Sequence, residues 1–63
     1  MAHYSLTFEN VDNADQVNRI TTALMMLEGV DSVEVGRYGA DIEGTVGRDV
    51  LISAVRKLGI EVS

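Results

Sequence analysis

The sequence predicts an α+β domain, a small antiparallel sheet with two helices on one face. Three observations predict it. Apolar residues alternate with a period of two in three short stretches. They recur every three to four residues in two longer ones. The second half of the chain also echoes the first: "ALMMLEGVDSVEV" and "AVRKLGIEV" both end a helical stripe at glycine and pass into an extended run.

The first element is "HYSLTFE". Tyr4, Leu6 and Phe8 share one face, and His3, Ser5, Thr7 and Glu9 share the other. That is a half-buried strand. From Ala14 the period lengthens. Val17, Ile20, Leu24 and Leu27 form one helical stripe with Ala23 beside it, while Asn18, Arg19, Thr22 and Glu28 face outward. Gly29 is a natural left-handed stop, and Val30 follows to pack back on the last turn.

"DSVEVGRYGADIEGTV" reads as a hairpin. Val33 and Val35 alternate with Ser32 and Glu34; Ile42, Gly44 and Val46 alternate with Asp41, Glu43 and Thr45. Gly36 and Gly39 are expected to supply positive φ at the turn. A second helix is expected from Arg48 to Leu58, with Leu51, Ala54, Val55 and Leu58 inward and Ile52 flanking them. Asp49 in its first turn and Arg56 and Lys57 in its last suit the helix dipole. Gly59 ends it, and "IEV" is expected to form a short last strand.

The order is strand, helix, strand, strand, helix, strand. Each half is a β-α-β unit that cannot bury its own apolar face. Two such halves intercalate into a ferredoxin-like βαββαβ open-faced sandwich, a four-stranded antiparallel sheet backed by two helices. The second and fourth strands are then the edges. The short "IEVS" end is a candidate for pairing with a neighbour, as in a weak homodimer.

Sixty-three residues with no cysteine make one domain, 1–63, with no disulfide and no zinc-thiolate staple. A domain of this size hides only about 60% of its chain surface, so stability rests on a well-patterned core. Ten acids against five bases give a net charge of −5. That disfavours nucleic acid and anionic membrane surfaces, and favours solubility and a partner with a basic patch. No apolar run approaches the roughly 18 residues of a membrane span. The start, "MAHYSLTFEN", lacks the features of a signal peptide, so a cytoplasmic location is expected.

Two runs carry a resemblance. "ITTALMMLEGVDSVEV" is similar to the V-x-x-A-L-x-x-L-x-G-V-x-x-V-x-V run of the heavy-metal-associated domain family, and "LISAVRKLGIEV" to its L-I-x-A-I-x-x-x-G-Y-x-V ending. That family comprises small copper and mercury carriers and the amino-terminal domains of metal-pumping ATPases. The resemblance covers nearly the whole chain and implies metal trafficking. It fails at the family's G-M-x-C-x-x-C loop. Counting back from Ala23 and Leu24 sets Asn10 at the glycine, Val11 at the methionine, and Asn13 and Gln16 at the two cysteines. Ile60 replaces the aromatic residue after the last helix.

Soft ions such as Cu(I) take paired thiolates; a neutral amide oxygen is a hard, weak donor. No metal site is therefore expected at Asn13 and Gln16, and no cofactor. Asn is instead a strong helix N-cap, and Gln three residues later stands where a capping box has its second partner. Asp12 is the alternative cap, shifting the box by one residue. Asp12 and Asp15, with Glu9 and the Asn13 carbonyl, are weak candidates for a Ca²⁺ or Mg²⁺ site. However, acids near a helix start also have an ordinary dipole explanation.

His3 is the sole histidine and faces outward. Met25 and Met26 are expected to pack at the core or its boundary. The outward sheet face carries Ser5, Thr7, Glu9, Glu34, Asp41, Glu43 and Thr45, with Glu61 as a further candidate. It is acidic and lacks the aromatics of an RNA-binding sheet. Of these, Glu9, Glu34, Asp41 and Glu43 are the candidate interaction face.

No nucleophile has an evident base, and no phosphate cradle forms around Arg19 and Asn18. The expected function is a non-enzymatic interaction or regulatory module, with a basic protein or a metal-transport protein as partner. Two alternatives stand beside it: weak or partner-assisted metal binding, and a small-ligand sensor of ferredoxin-like type.

Overall fold

A computed structural model describes residues 2–63. The elements are β1 (Ala2–Thr7), α1 (Ala14–Met25), β2 (Val30–Val35), β3 (Gly39–Gly44) and α2 (Arg48–Arg56). The sheet is antiparallel in the order β1-β3-β2, so β3 is central. Its register sets Tyr4 opposite Ile42 on one side and Val33 opposite Ile42 on the other. A register shift between Val30 and Ser32 bends the start of β2.

The core lies between the sheet and the helices. α1 contributes Ile20 and Leu24, α2 contributes Leu51 and Val55, and the middle strand contributes Ile42; all five have no exposed surface. Burying a side chain of this size contributes about 1.5–3 kcal/mol. Leu6, Phe8, Val11, Ala40, Val46, Ile60 and Val62 complete the buried set.

α1 stops as its sequence indicates. Met26 caps it through a backbone bond to Thr22, and Gly29 turns the chain at φ +92°. Gly59 does the same after α2 at φ +83°, its N–H donating to the Arg56 carbonyl at 2.9 Å. The expectation for Gly36 and Gly39 is overturned: among the described residues only Gly29 and Gly59 have positive φ. The hairpin closes instead through the Gly36 N–H on the Gly39 carbonyl at 2.8 Å. Gly39 is needed for space, because a Cβ there would run into the Leu6 carbonyl of the neighbouring strand.

The fourth strand is also corrected. Among the described residues the sheet has three strands, and the last segment contributes one isolated bridge, Phe8 to Val62. Thr7 and Ser63 exchange two backbone hydrogen bonds, both at 3.0 Å, and Glu9 N–H donates to the Glu61 carbonyl at 3.1 Å. A side chain substitutes for further rungs. Asn10 Oδ1 accepts from the Glu61 N–H at 2.8 Å, and its Nδ2 donates to the Gly59 carbonyl at 3.3 Å. With the last segment reduced to a bridge, the sheet edges are β2 and β1.

Three apolar residues lie outside where the periodicity sets them. α2 ends at Arg56, and a tight turn carries Leu58 out to 40% exposure. Met25 and Met26 are 61% and 79% exposed. Ile20 and Leu24, with half-buried Leu27 packed against them, already fill the α1 side of the layer, which leaves the two thioethers in solvent.

Two outcomes test these contacts by urea unfolding. Gly44 is buried where a Cβ would strike the Gly29 carbonyl, so Gly44→Ala is expected to lose about 1–3 kcal/mol. Asn10→Ala is expected to lose about 1–2 kcal/mol and to speed hydrogen exchange at the Glu61 amide, leaving Ile42 protected.

Candidate functional site

The site the sequence singles out is the loop from Glu9 to Asn13 with the first turn of α1. Val11 anchors it by burial in the core, and Asn10 ties it to the last segment. Between these fixed points the loop is held by amides.

Asn13 is the N-cap. Its backbone is extended, at φ −146° and ψ 163°, and its Oδ1 accepts from the Gln16 N–H at 2.9 Å. Gln16 reaches back past the cap. Its Oε1 accepts from the Asp12 N–H at 2.9 Å, and its Nε2 donates to the Asn10 carbonyl at 3.3 Å. The arrangement is a capping box with the return bond one residue earlier than usual, on Asp12 rather than on Asn13. The cap itself is Asn13 and not Asp12. Every polar atom of the Gln16 side chain, and the Asn13 oxygen, is therefore engaged within the loop.

This donor set does not fit a soft ion. It offers no thiolate, and its amide oxygens already accept backbone hydrogen bonds. Nor does the loop gather carboxylates. Asp15 pairs with Arg19 one turn on, at 3.0 Å, with both side chains about 70% exposed. Such an exposed pair contributes little. Among the described residues no group of three or more His, Cys, Asp or Glu is arranged to hold a metal.

The second region is the outward sheet face. In the register, Asp41 stands between Ser5 and Glu34, and Glu43 between His3 and Ser32. Asp41 is the hub. Ser5 Oγ donates to its Oδ1 at 2.8 Å, and His3 Nε2 lies 3.4 Å from the same oxygen. The carboxylate therefore leans toward β1. Glu34, directly across from it with like charge, has no such contact. His3, Ser32, Glu34, Asp41 and Glu43 surround one shallow depression of this face. Glu9 and Glu61 sit beyond it, beside the bridge to the last segment, so the acidic candidates fall into two groups.

Asn10, which the family resemblance sets at a glycine, is the tie between loop and last segment. Its signal was present: Asn is a turn residue with both a donor and an acceptor. What the sequence could not supply was the distant backbone it meets, nearly fifty residues away. The hairpin tip was also missed. Arg37 stacks over the exposed Tyr38 ring at 5.7 Å, next to the loop, where the Tyr38 carbonyl accepts from Phe8 N–H at 2.8 Å.

Comparison with known proteins bears on the frame. No protein-family profile and no curated protein match the sequence. Solved structures do match the fold. One is a crystal structure of a copper binding domain from HMA7, a P-type ATPase, with TM-score 0.93 and 20% identity over 100% of this chain and 92% of that one. Another comes from work on crosstalk between Cu(I) and Zn(II) homeostasis, with TM-score 0.92 and 21% identity over 100% and 97% of the two chains. The chain therefore shares its α+β fold, two helices on a three-stranded antiparallel sheet, with that copper binding domain of a P-type ATPase.

Proposed function

We propose that this chain is a non-enzymatic interaction module on a heavy-metal-associated frame, whose first loop is organised by amides in place of a soft-metal pincer. One observation carries the reading. At the two positions that the family resemblance aligns with cysteines, the Asn13 oxygen accepts from the Gln16 N–H, and both polar atoms of the Gln16 side chain bond the backbone of Asp12 and Asn10. A carrier needs its ligands free to exchange; these are committed. What is left for a partner is surface: the acidic face of Glu34, Asp41 and Glu43, the flanking Glu9, and the Arg37–Tyr38 tip. A basic protein, or a protein of metal transport, fits that surface.

Competition with a coloured Cu(I) chelator tests this. The chain as it stands is expected to leave the chelator's copper in place, and Asn13→Cys with Gln16→Cys is expected to withdraw it. Copper uptake by the unaltered chain, with amide shifts confined to residues 9–17, would defeat the proposal. A second measurement concerns stability. Asn13→Ala is expected to cost about 1 kcal/mol and Gln16→Ala about 1–2 kcal/mol in urea unfolding, with Cu(I) retention by the chelator unchanged in both.

A further inference from the structure

The sheet edge at β2 is open, and its open groups can be named. The Gly36 N–H bonds the Gly39 carbonyl at 2.8 Å, which makes Gly36–Gly39 a hydrogen-bonded pair. Bonded and open pairs alternate along an antiparallel ladder. In the register of β2 and β3, Glu34 and Ser32 therefore direct their backbone groups at Asp41 and Glu43, while Val33 and Val35 turn theirs away from β3. Among the described residues no strand lies beyond them. β1 and the last segment are on the far side of β3, and the register of the Phe8–Val62 bridge leads that segment along β1, not along β2. The register shift between Val30 and Ser32 ends the open stretch on one side, and the hairpin turn ends it on the other. One helix overhangs this edge. α1 packs on β2, while Arg48 at the start of α2 bonds the Ser5 carbonyl of β1. Ala23 of α1 faces α2, since it borders one depression with Leu58. Met25 is two residues further, about 200° round the helix, so exposed Met25 stands on the flank above the β2 edge.

We propose that this edge docks an extended basic segment of a partner protein, which adds antiparallel to β2 with backbone rungs at Val33 and Val35. The docking edge rests on the interaction-module reading above and names its element and its partner's chemistry. Alternation sorts the side chains of the added strand. Those opposite Val33 and Val35 lie on the inner face, beside two half-buried valines and beneath Met25, and are apolar. Those opposite Ser32, Glu34 and Gly36 lie on the outer face, where charge selects Lys or Arg. Asp41 leans away toward Ser5 and His3. Glu34 is left with a like charge across from it and, among the described residues, no cation within salt-bridge distance. A lysine opposite Glu34 supplies that cation. A second lysine, opposite the small Ser32, reaches over it toward Glu43; Ser32, Glu34 and Glu43 border one depression. A second copy of the chain is a poorer occupant. Pairing through both valines would set Val33 against Val35 of the other copy and bring the two Glu34 side chains directly opposite each other, on molecules of net charge −5 each.

The probe is a blocked Lys-Val-Lys-Val-Lys peptide titrated into the isotope-labelled full chain, with Glu-Val-Glu-Val-Glu as control. The lysine peptide is expected to shift the Val33 and Val35 amides and slow their exchange, and the glutamate peptide to do neither. The Ser5 amide, on the opposite edge, is expected to stay in place with both. Glu34→Gln is expected to weaken binding about threefold to fivefold. Met25→Ala is expected to weaken it about twofold. Val33→Pro removes an outward N–H and leaves the bonds to β3 intact. It is expected to abolish the Val35 shift while the Leu24 and Ile42 amides keep their positions. If that variant does not fold, a lysine peptide N-methylated at its two valines takes its place and is expected not to bind. Equal binding of the glutamate peptide, shifts confined to residues 9–17 or to the Ser5 edge, concentration-dependent Val33 shifts without peptide, or no shift at millimolar peptide would each overturn the docking edge. Cu(I) retention by a chelator, measured on the same sample, separates the two failures. Copper uptake at residues 9–17 sinks the interaction-module reading; no uptake together with no peptide shift sinks the docking edge alone.

Discussion

The contact between the inner stripes of the two helices and Ile42 on the middle strand governs the molecule. Ile20, Leu24, Leu51 and Val55 close over that strand so fully that none of the five retains exposed surface. A chain this short has no second core and no covalent bond to fall back on. Once these side chains meet, the positions of both helix starts are fixed relative to the sheet. So is the loop that must run from the end of β1 to the cap of α1. Val11 is buried in the same core, which turns the loop from a free connection into a fixed one.

On that base the amides act as local fasteners. Gln16 ties Asp12 to Asn10, Asn13 caps the helix, and Asn10 crosses to Gly59 and Glu61. Each bond is solvent-exposed and individually modest, of the order of 1 kcal/mol. Together they define one loop shape.

Much of this was legible in the sequence, for a physical reason. Periodicity reports which face of an element is buried, so the stripes of Ile20, Leu24, Leu51 and Val55 and the alternation of Leu6 and Phe8 could be assigned from residue spacing alone. Helix ends were legible too, because Asn13, Gly29 and Gly59 each satisfy a local backbone requirement. The errors concern what depends on neighbours. Leu58 lies on the stripe by spacing, yet a turn that begins after Arg56 carries it into solvent. Gly36 and Gly39 looked like left-handed residues, whereas Gly39 answers the approach of Leu6 across the sheet. Where a fourth strand was expected there is one bridge, and the Asn10 side chain, from the far end of the chain, meets the backbone of Glu61 beside it.

The outward placement of Met25 and Met26 has a chemical consequence. Among the described residues these are the sole sulfur atoms, and every side chain of the buried core is hydrocarbon. Peroxide converts exposed thioethers to sulfoxides, which ruin a fold when they form inside it. Among the described residues the thioethers stand on the rim of the helical layer, and the buried core holds no sulfur. Redox stress would therefore alter how this surface greets its surroundings while leaving the architecture beneath it intact.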